Sequence, residues 1–158
     1  MNTQLREMVV AAEGRHLGEA ELARFREHAQ GYGARLDAMR RVQDAEEGIV
    51  ETALRRLEAT QGSRLRDPVV RQKAERDLEQ TLRYAAQAAA RDDLGWFQET
   101  FSEWHAEMLC ALQPQPVMED TFKALRDAVE ERLDGADARA LLPFLDDFLR
   151  ELASWRES

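Results

Sequence analysis

The chain has 158 residues and a formal net charge of −9. That length suits a single domain, 1–158, with room for a proper core. The acidic balance argues against nucleic acid and acidic membranes as partners, because both reward a concentrated basic surface.

One cysteine, Cys110, allows no internal disulfide and fits a reducing compartment. The first residues lack a signal-type apolar run, and no stretch reaches membrane-spanning length. A soluble, cytoplasmic protein is expected. No window alternates as a strand would, whereas helical spacing recurs throughout. Leu5, Met8, Val9 and Ala12 form a first stripe ending near Gly14. Leu22, Phe25, Ala29, Tyr32 and Leu36 form a second, running into Met39. Ile49, Val50, Ala53, Leu54 and Leu57 form a third, expected to stop at Gln61-Gly62-Ser63, since glycine suits the left-handed residue beyond a helix end.

Asp67-Pro68 marks a helix start, with aspartate as cap and proline in the first turn. Val70, Ala74, Leu78, Leu82 and Ala86 then predict one long helix to about Arg91, broken by Asp92-Asp93-Leu94-Gly95. Phe97, Phe101, Trp104, Met108 and Leu112 predict the next buried face, and Pro114 and Pro116 a turn. Met118, Phe122, Leu125, Val129 and Leu133 follow. Asp137 is the expected cap of a last helix carrying Leu141, Leu145, Phe148, Leu152 and Trp155. The sum is all-α, with seven to eight helices; periodicity alone does not separate a globin-like stack from a bundle.

Within this pattern the eleven residues Ala74-Glu-Arg-Asp-Leu-Glu-Gln-Thr-Leu-Arg-Tyr84 are the most specific. They resemble the bilin-carrying helix of phycobiliproteins, Cys-x-Arg-Asp-x-x-x-x-Leu-Arg-Tyr, with Ala74 in place of the thioether cysteine. Ala12-Glu-Gly-Arg-His-Leu17 is similar to the region after that family's N-terminal helical extension, here 1–16. Gly33-Ala-Arg-Leu-Asp-Ala38 resembles its Gly-x-Arg-Leu-Asp stretch, and Ile49, Val50, Ala53, Arg55 and Leu57 its next helix. The register covers roughly the first 95 residues; the last third agrees in helix count and length.

The resemblance implies a globin-like fold with N-terminal helices that pair subunits, and a linear tetrapyrrole as ligand. Ala74 cannot form a thioether and Cys110 lies in another helix, so the bilin (biliverdin or a reduced bilin) is expected to bind non-covalently. The bilin biosynthesis-associated globins of non-photosynthetic bacteria are the subgroup most resembled. Helical spacing puts Ala74, Asp77, Leu78 and Thr81 on one side. The expected cofactor-binding set is Lys73, Ala74, Arg76, Asp77, Thr81 and Tyr84. By the resemblance Asp77 would accept hydrogen bonds from the pyrrole N–H groups and favour a protonated pigment. Arg76 would hold a propionate through its planar fork, and Tyr84 would line the pocket. Lys73 and Arg71 are further propionate partners, weighed against ordinary surface charge. Arg83 would pair with Glu13 of a second copy in a homodimer.

Other constellations compete. His105, beside Trp104, stands roughly where globins place the haem-ligating histidine, and haem is the alternative cofactor; the plainer expectation is an interfacial histidine beside a core tryptophan. Glu13-x-x-His16 has half of a di-iron spacing and no second half. Trp96, Trp104 and Trp155 sit at core spacing, with Trp96 or Trp104 able to stack on a flat ligand. No phosphate loop, paired-cysteine motif or nucleophile elbow occurs, so an enzyme is not expected. Bilin carriage, storage or sensing is the expected role, with bilin-biosynthesis enzymes as partners. The alternatives are a haem sensor using His105 and a pigment-free helical module that binds a protein.

Overall fold

The computed structural model describes residues 2–112 and 115–155. Six helices make up the described residues: α1 Thr3–Ala11, α2 Glu19–Leu65, α3 Pro68–Arg91, α4, α5 Gln115–Arg132 and α6 Gly135–Ser154. Helix α4 runs from Leu94–Phe97 through a π-helical turn, Gln98–Ser102, into Glu103–Leu112. The count falls below the expected seven to eight because the second and third apolar stripes belong to one helix of 47 residues. The gap between the stripes holds good helix formers and no proline, so nothing in the backbone stops the helix there.

The expected stop at Gln61-Gly62-Ser63 is a bend instead. Gln61 leaves helical geometry (φ −127°, ψ 24°), and the helix resumes to Leu65. Asp67 caps α3 through the amide of Val69, with Pro68 in the first turn as expected. The corner after α3 is made by two aspartates. Asp92 takes the left-handed conformation, with φ 54°. Asp93 accepts from the amide of Trp96 at 2.9 Å and from that of Thr3 at 2.7 Å, so one buried carboxylate caps α4 and ties α1 to the corner.

The core collects the second half of α2 (Ile49, Ala53, Leu57), α3 (Leu78, Leu82, Ala85), and the inner faces of α5 and α6. The Arg132 side chain of α5 lies over Gly48 of α2, its guanidinium 2.6 Å from where a Cβ would stand. The first half of α2 is different. Leu22 and Tyr32 are exposed, as are Val9 and Val10 on α1.

Three expectations about packing are corrected. The π-helical turn inserts one residue into the repeat and rotates the remainder of α4 by about one position. His105, Ala106 and Leu109 therefore face the core, while Trp104, Met108 and Leu112 are exposed. The tryptophans do not fill the core: Trp96 is half-buried under the Arg91 guanidinium, 4.4 Å from its ring, and Trp155 is exposed. Asp134, not Asp137, caps α6, accepting from the amides of Ala136 and Asp137. Asp137 is buried in the first turn and holds Arg41 of α2 through two hydrogen bonds of 2.6 and 2.7 Å. The turn expected at Pro114 falls outside the described residues; Pro116 sits in the first turn of α5, where its missing N–H breaks no helical bond.

Candidate functional site

The bend at Gln61 and the first half of α3 enclose a cleft of about 220 Å³. Leu57, Gln61, Arg64 and Leu65 of α2 line it, facing Val70, Lys73, Ala74 and Asp77 of α3. Leu112 from the end of α4, with Val117, Met118 and Thr121 from α5, completes the wall. The floor is apolar and the rim carries two cations and one carboxylate. Ala74 contributes only a methyl group, so the α3 wall is recessed where a longer side chain would stand.

Asp77 is half-buried at this wall. Burial pushes its carboxyl above the ordinary value, against the opposing pull of the Lys73 and Arg76 charges. No hydrogen bond or ion pair to that carboxylate occurs among the described residues. It is an acceptor next to open space with its hydrogen-bonding capacity unused. The bend is held by Gln61, whose side-chain amide donates to the Val117 carbonyl at 3.1 Å. Thr121 donates its hydroxyl to that same carbonyl at 2.7 Å and adds no free polar group.

Of the six residues expected to hold a ligand, the structure brings Lys73, Ala74 and Asp77 to the cleft. Arg76 is exposed, and lies near enough to Asp77 to act on its charge without lining the cleft. Thr81 is fully buried and its hydroxyl donates to the Asp77 carbonyl at 2.8 Å. Tyr84 stacks on Phe101 at 4.5 Å and on Trp96 at 6.1 Å, away from the cleft. Arg71 pairs with Glu58 at 2.5 Å. Arg64, Gln61 and the α5 residues were not anticipated. The signal for them was the Gln-Gly-Ser sequence, which reads equally well as a helix end and as a bend.

Arg83 already holds Glu46 of its own chain through bonds of 2.9 and 3.1 Å. Glu13 is exposed near Val9 and Val10, and does not meet Arg83 within the chain. His105 is fully buried between Phe101 and Phe148, with ring centroids 4.5 and 5.7 Å away. Burial lowers its pKa to about 4, so the ring is neutral. Among the described residues neither ring nitrogen has a hydrogen-bond partner, and the cleft does not reach them. Cys110 is half-buried in α4 and does not line the cleft. Among the described residues no group of histidine, cysteine and carboxylate side chains could hold a metal ion, and no helix is long and apolar enough to cross a membrane.

No curated protein matches the chain significantly. A family model described as phycobilisome protein matches residues 9–152. The chain therefore belongs to the phycobilisome protein family, whose fold is globin-like and whose ligand is a bilin.

Proposed function

We propose that this protein binds a linear tetrapyrrole non-covalently in the cleft between the bent end of α2 and the first half of α3, as a carrier, store or sensor and not as an enzyme. The observation that carries this reading is Asp77, a half-buried carboxylate with no hydrogen-bond partner among the described residues, beside a cleft of mixed apolar and polar lining. An acceptor held this way suits the converging N–H groups at the middle of an open-chain pigment. Ala74 offers no sulfur and Cys110 stands elsewhere, which supports an exchangeable ligand and the likeness to the bilin biosynthesis-associated globins. The cleft is smaller than the roughly 300–1,000 Å³ typical of small-molecule pockets. It suits the centre of the pigment, with the outer rings lying over its rim, within reach of the exposed Arg76.

Titrating the purified protein with biliverdin tests the reading. The long-wavelength absorption band is expected to sharpen and shift to the red at saturation. Asp77→Ala should lose that shift and Arg76→Ala should weaken binding. A spectrum identical to that of free biliverdin at high protein concentration overturns the proposal.

The exposed Val9, Val10, Leu22 and Tyr32 on α1 and the first half of α2 support pairing of two copies through this end. In such a homodimer Glu13 would meet Arg83 of the second copy, and Arg83 would have to share or leave Glu46. Arg83→Glu should then shift a dimer towards monomer on a sizing column; an unchanged elution volume argues against that contact.

A further inference from the structure

We propose that the outer face of α4 is a docking surface for a basic amphipathic helix of another protein, with Trp104 as its anchor. The π-helical turn makes this face. By rotating the rest of the helix it points Trp104, Met108 and Leu112 outward, each more than a third exposed. Standing four residues apart, they form one continuous ridge along successive turns. Such a ridge fits the groove between the matching rows of a second helix, and a contiguous exposed apolar patch marks an interaction site.

Trp104 is held in place before any partner arrives. Phe101 and His105 pack edge-on against it, with ring centroids 6.1 and 5.3 Å away. Its indole N–H donates to the Thr100 carbonyl one turn back, so the ring offers a partner only apolar surface. A tryptophan fixed in this way loses little freedom on binding. Charge then selects the occupant. Glu103 and Glu107 are exposed one position before Trp104 and Met108, and Glu99 is exposed on the preceding turn. Helix α4 has no lysine or arginine, whereas every other helix among the described residues has at least one. An apolar ridge with a purely acidic flank complements a helix that carries an apolar stripe between basic edges. A second copy is a poor occupant, because it would bring the same glutamates to a chain already at −9. Leu112, at the far end of the ridge, also lines the cleft, so a docked helix lies beside the cleft mouth. The surface itself does not depend on whether the cleft holds a pigment.

Fluorescence anisotropy with labelled synthetic peptides tests this. One peptide carries leucine at helical spacing on one face and lysine on the others. A second has the same composition scrambled to remove the apolar face, and a third has glutamate in place of lysine. The wild type should bind the first about tenfold or more tightly than the scrambled peptide and should not bind the third. Trp104→Ser and Met108→Ser should each remove most of that preference, and Glu103→Lys combined with Glu107→Lys should weaken the first peptide severalfold. Val69→Ser removes an apolar residue exposed elsewhere, on α3, and should change nothing; circular dichroism confirms that each variant is folded. Equal binding of the first two peptides, or an unaltered preference in Trp104→Ser, overturns the proposal. So does self-association on a sizing column that requires Trp104, because the occupant is then a second copy.

Discussion

Asp77 and His105 are both titratable groups without a hydrogen-bond partner among the described residues, and both stood out in the sequence as ligand contacts. The structure treats them in opposite ways. Asp77 is half-buried at a wall with space in front of it and cations on the same rim. His105 has no exposed surface; Phe101 and Phe148 stack on it, and Trp104 packs edge-on at 5.3 Å. The buried hydroxyl of Ser102, one turn earlier on the π-helical segment, likewise has no partner among the described residues. An unsatisfied polar group points to a ligand where there is room for one. Without room it is a tolerated weakness in the core. The haem reading needs His105 at an open site, and its surroundings are filled by rings.

If the two regions differ as described, damage to the aromatic cluster should appear in stability and damage to the cleft in binding. The largest effect is expected at Phe101, which is fully buried and meets Tyr84 and His105 at 4.5 Å and Phe97 and Phe148 at 5.5 Å. Phe101→Ala should cost about 3–5 kcal/mol in urea unfolding, while the population that stays folded binds biliverdin normally. A loss below about 1 kcal/mol would show the cluster to be loosely packed.

A smaller effect, with a definite pH signature, belongs to His105. Its folded pKa of about 4 lies below the ordinary 6.5. As pH falls through 6.5 the unfolded chain takes a proton that the folded one refuses, so stability drops between about 6.5 and 4 and is unaffected above that window. The loss reaches about 2 kcal/mol at pH 5 and about 3 kcal/mol by pH 4. His105→Phe keeps a flat ring and removes the proton site. Its unfolding free energy should lack this part of the acid-side decline, and profiles for wild type and variant that run parallel from pH 7 to 5 would refute the assignment.

Legibility in the sequence divides along the same line. The long α3, its Asp67-Pro68 start and its buried Leu78 and Leu82 were legible because cap chemistry and a four-residue repeat are local signals. The facing walls of the cleft were not, because Arg64 and Val117 come from other helices and meet α3 only in three dimensions. The exposure of Trp104 was hidden for a subtler reason. A single inserted residue at Gln98–Ser102 leaves composition and mean spacing almost unchanged, yet it exchanges the core position of Trp104 for that of His105. Asp137 misled in another way: it has the right residue type for a cap, but Asp134 reaches the free amides first and releases Asp137 to hold Arg41.

The smallest predicted change sharpens the comparison most, because stability and binding should move in opposite directions. Burial raises the pKa of Asp77, so the folded state keeps this proton to higher pH than the unfolded chain does. Stability therefore falls as pH rises from the ordinary carboxylate value through the raised one, and at neutral pH the ionised group is a net burden on the fold. Asp77→Asn preserves size and removes the charge. Its melting temperature at pH 7 should sit slightly above that of the wild type, with biliverdin affinity reduced because an amide is a weaker acceptor for clustered N–H groups. That combination is expected when a charged side chain is kept for a ligand at the expense of the fold. A variant that melts lower would mean that Asp77 supports the helix instead of the pigment.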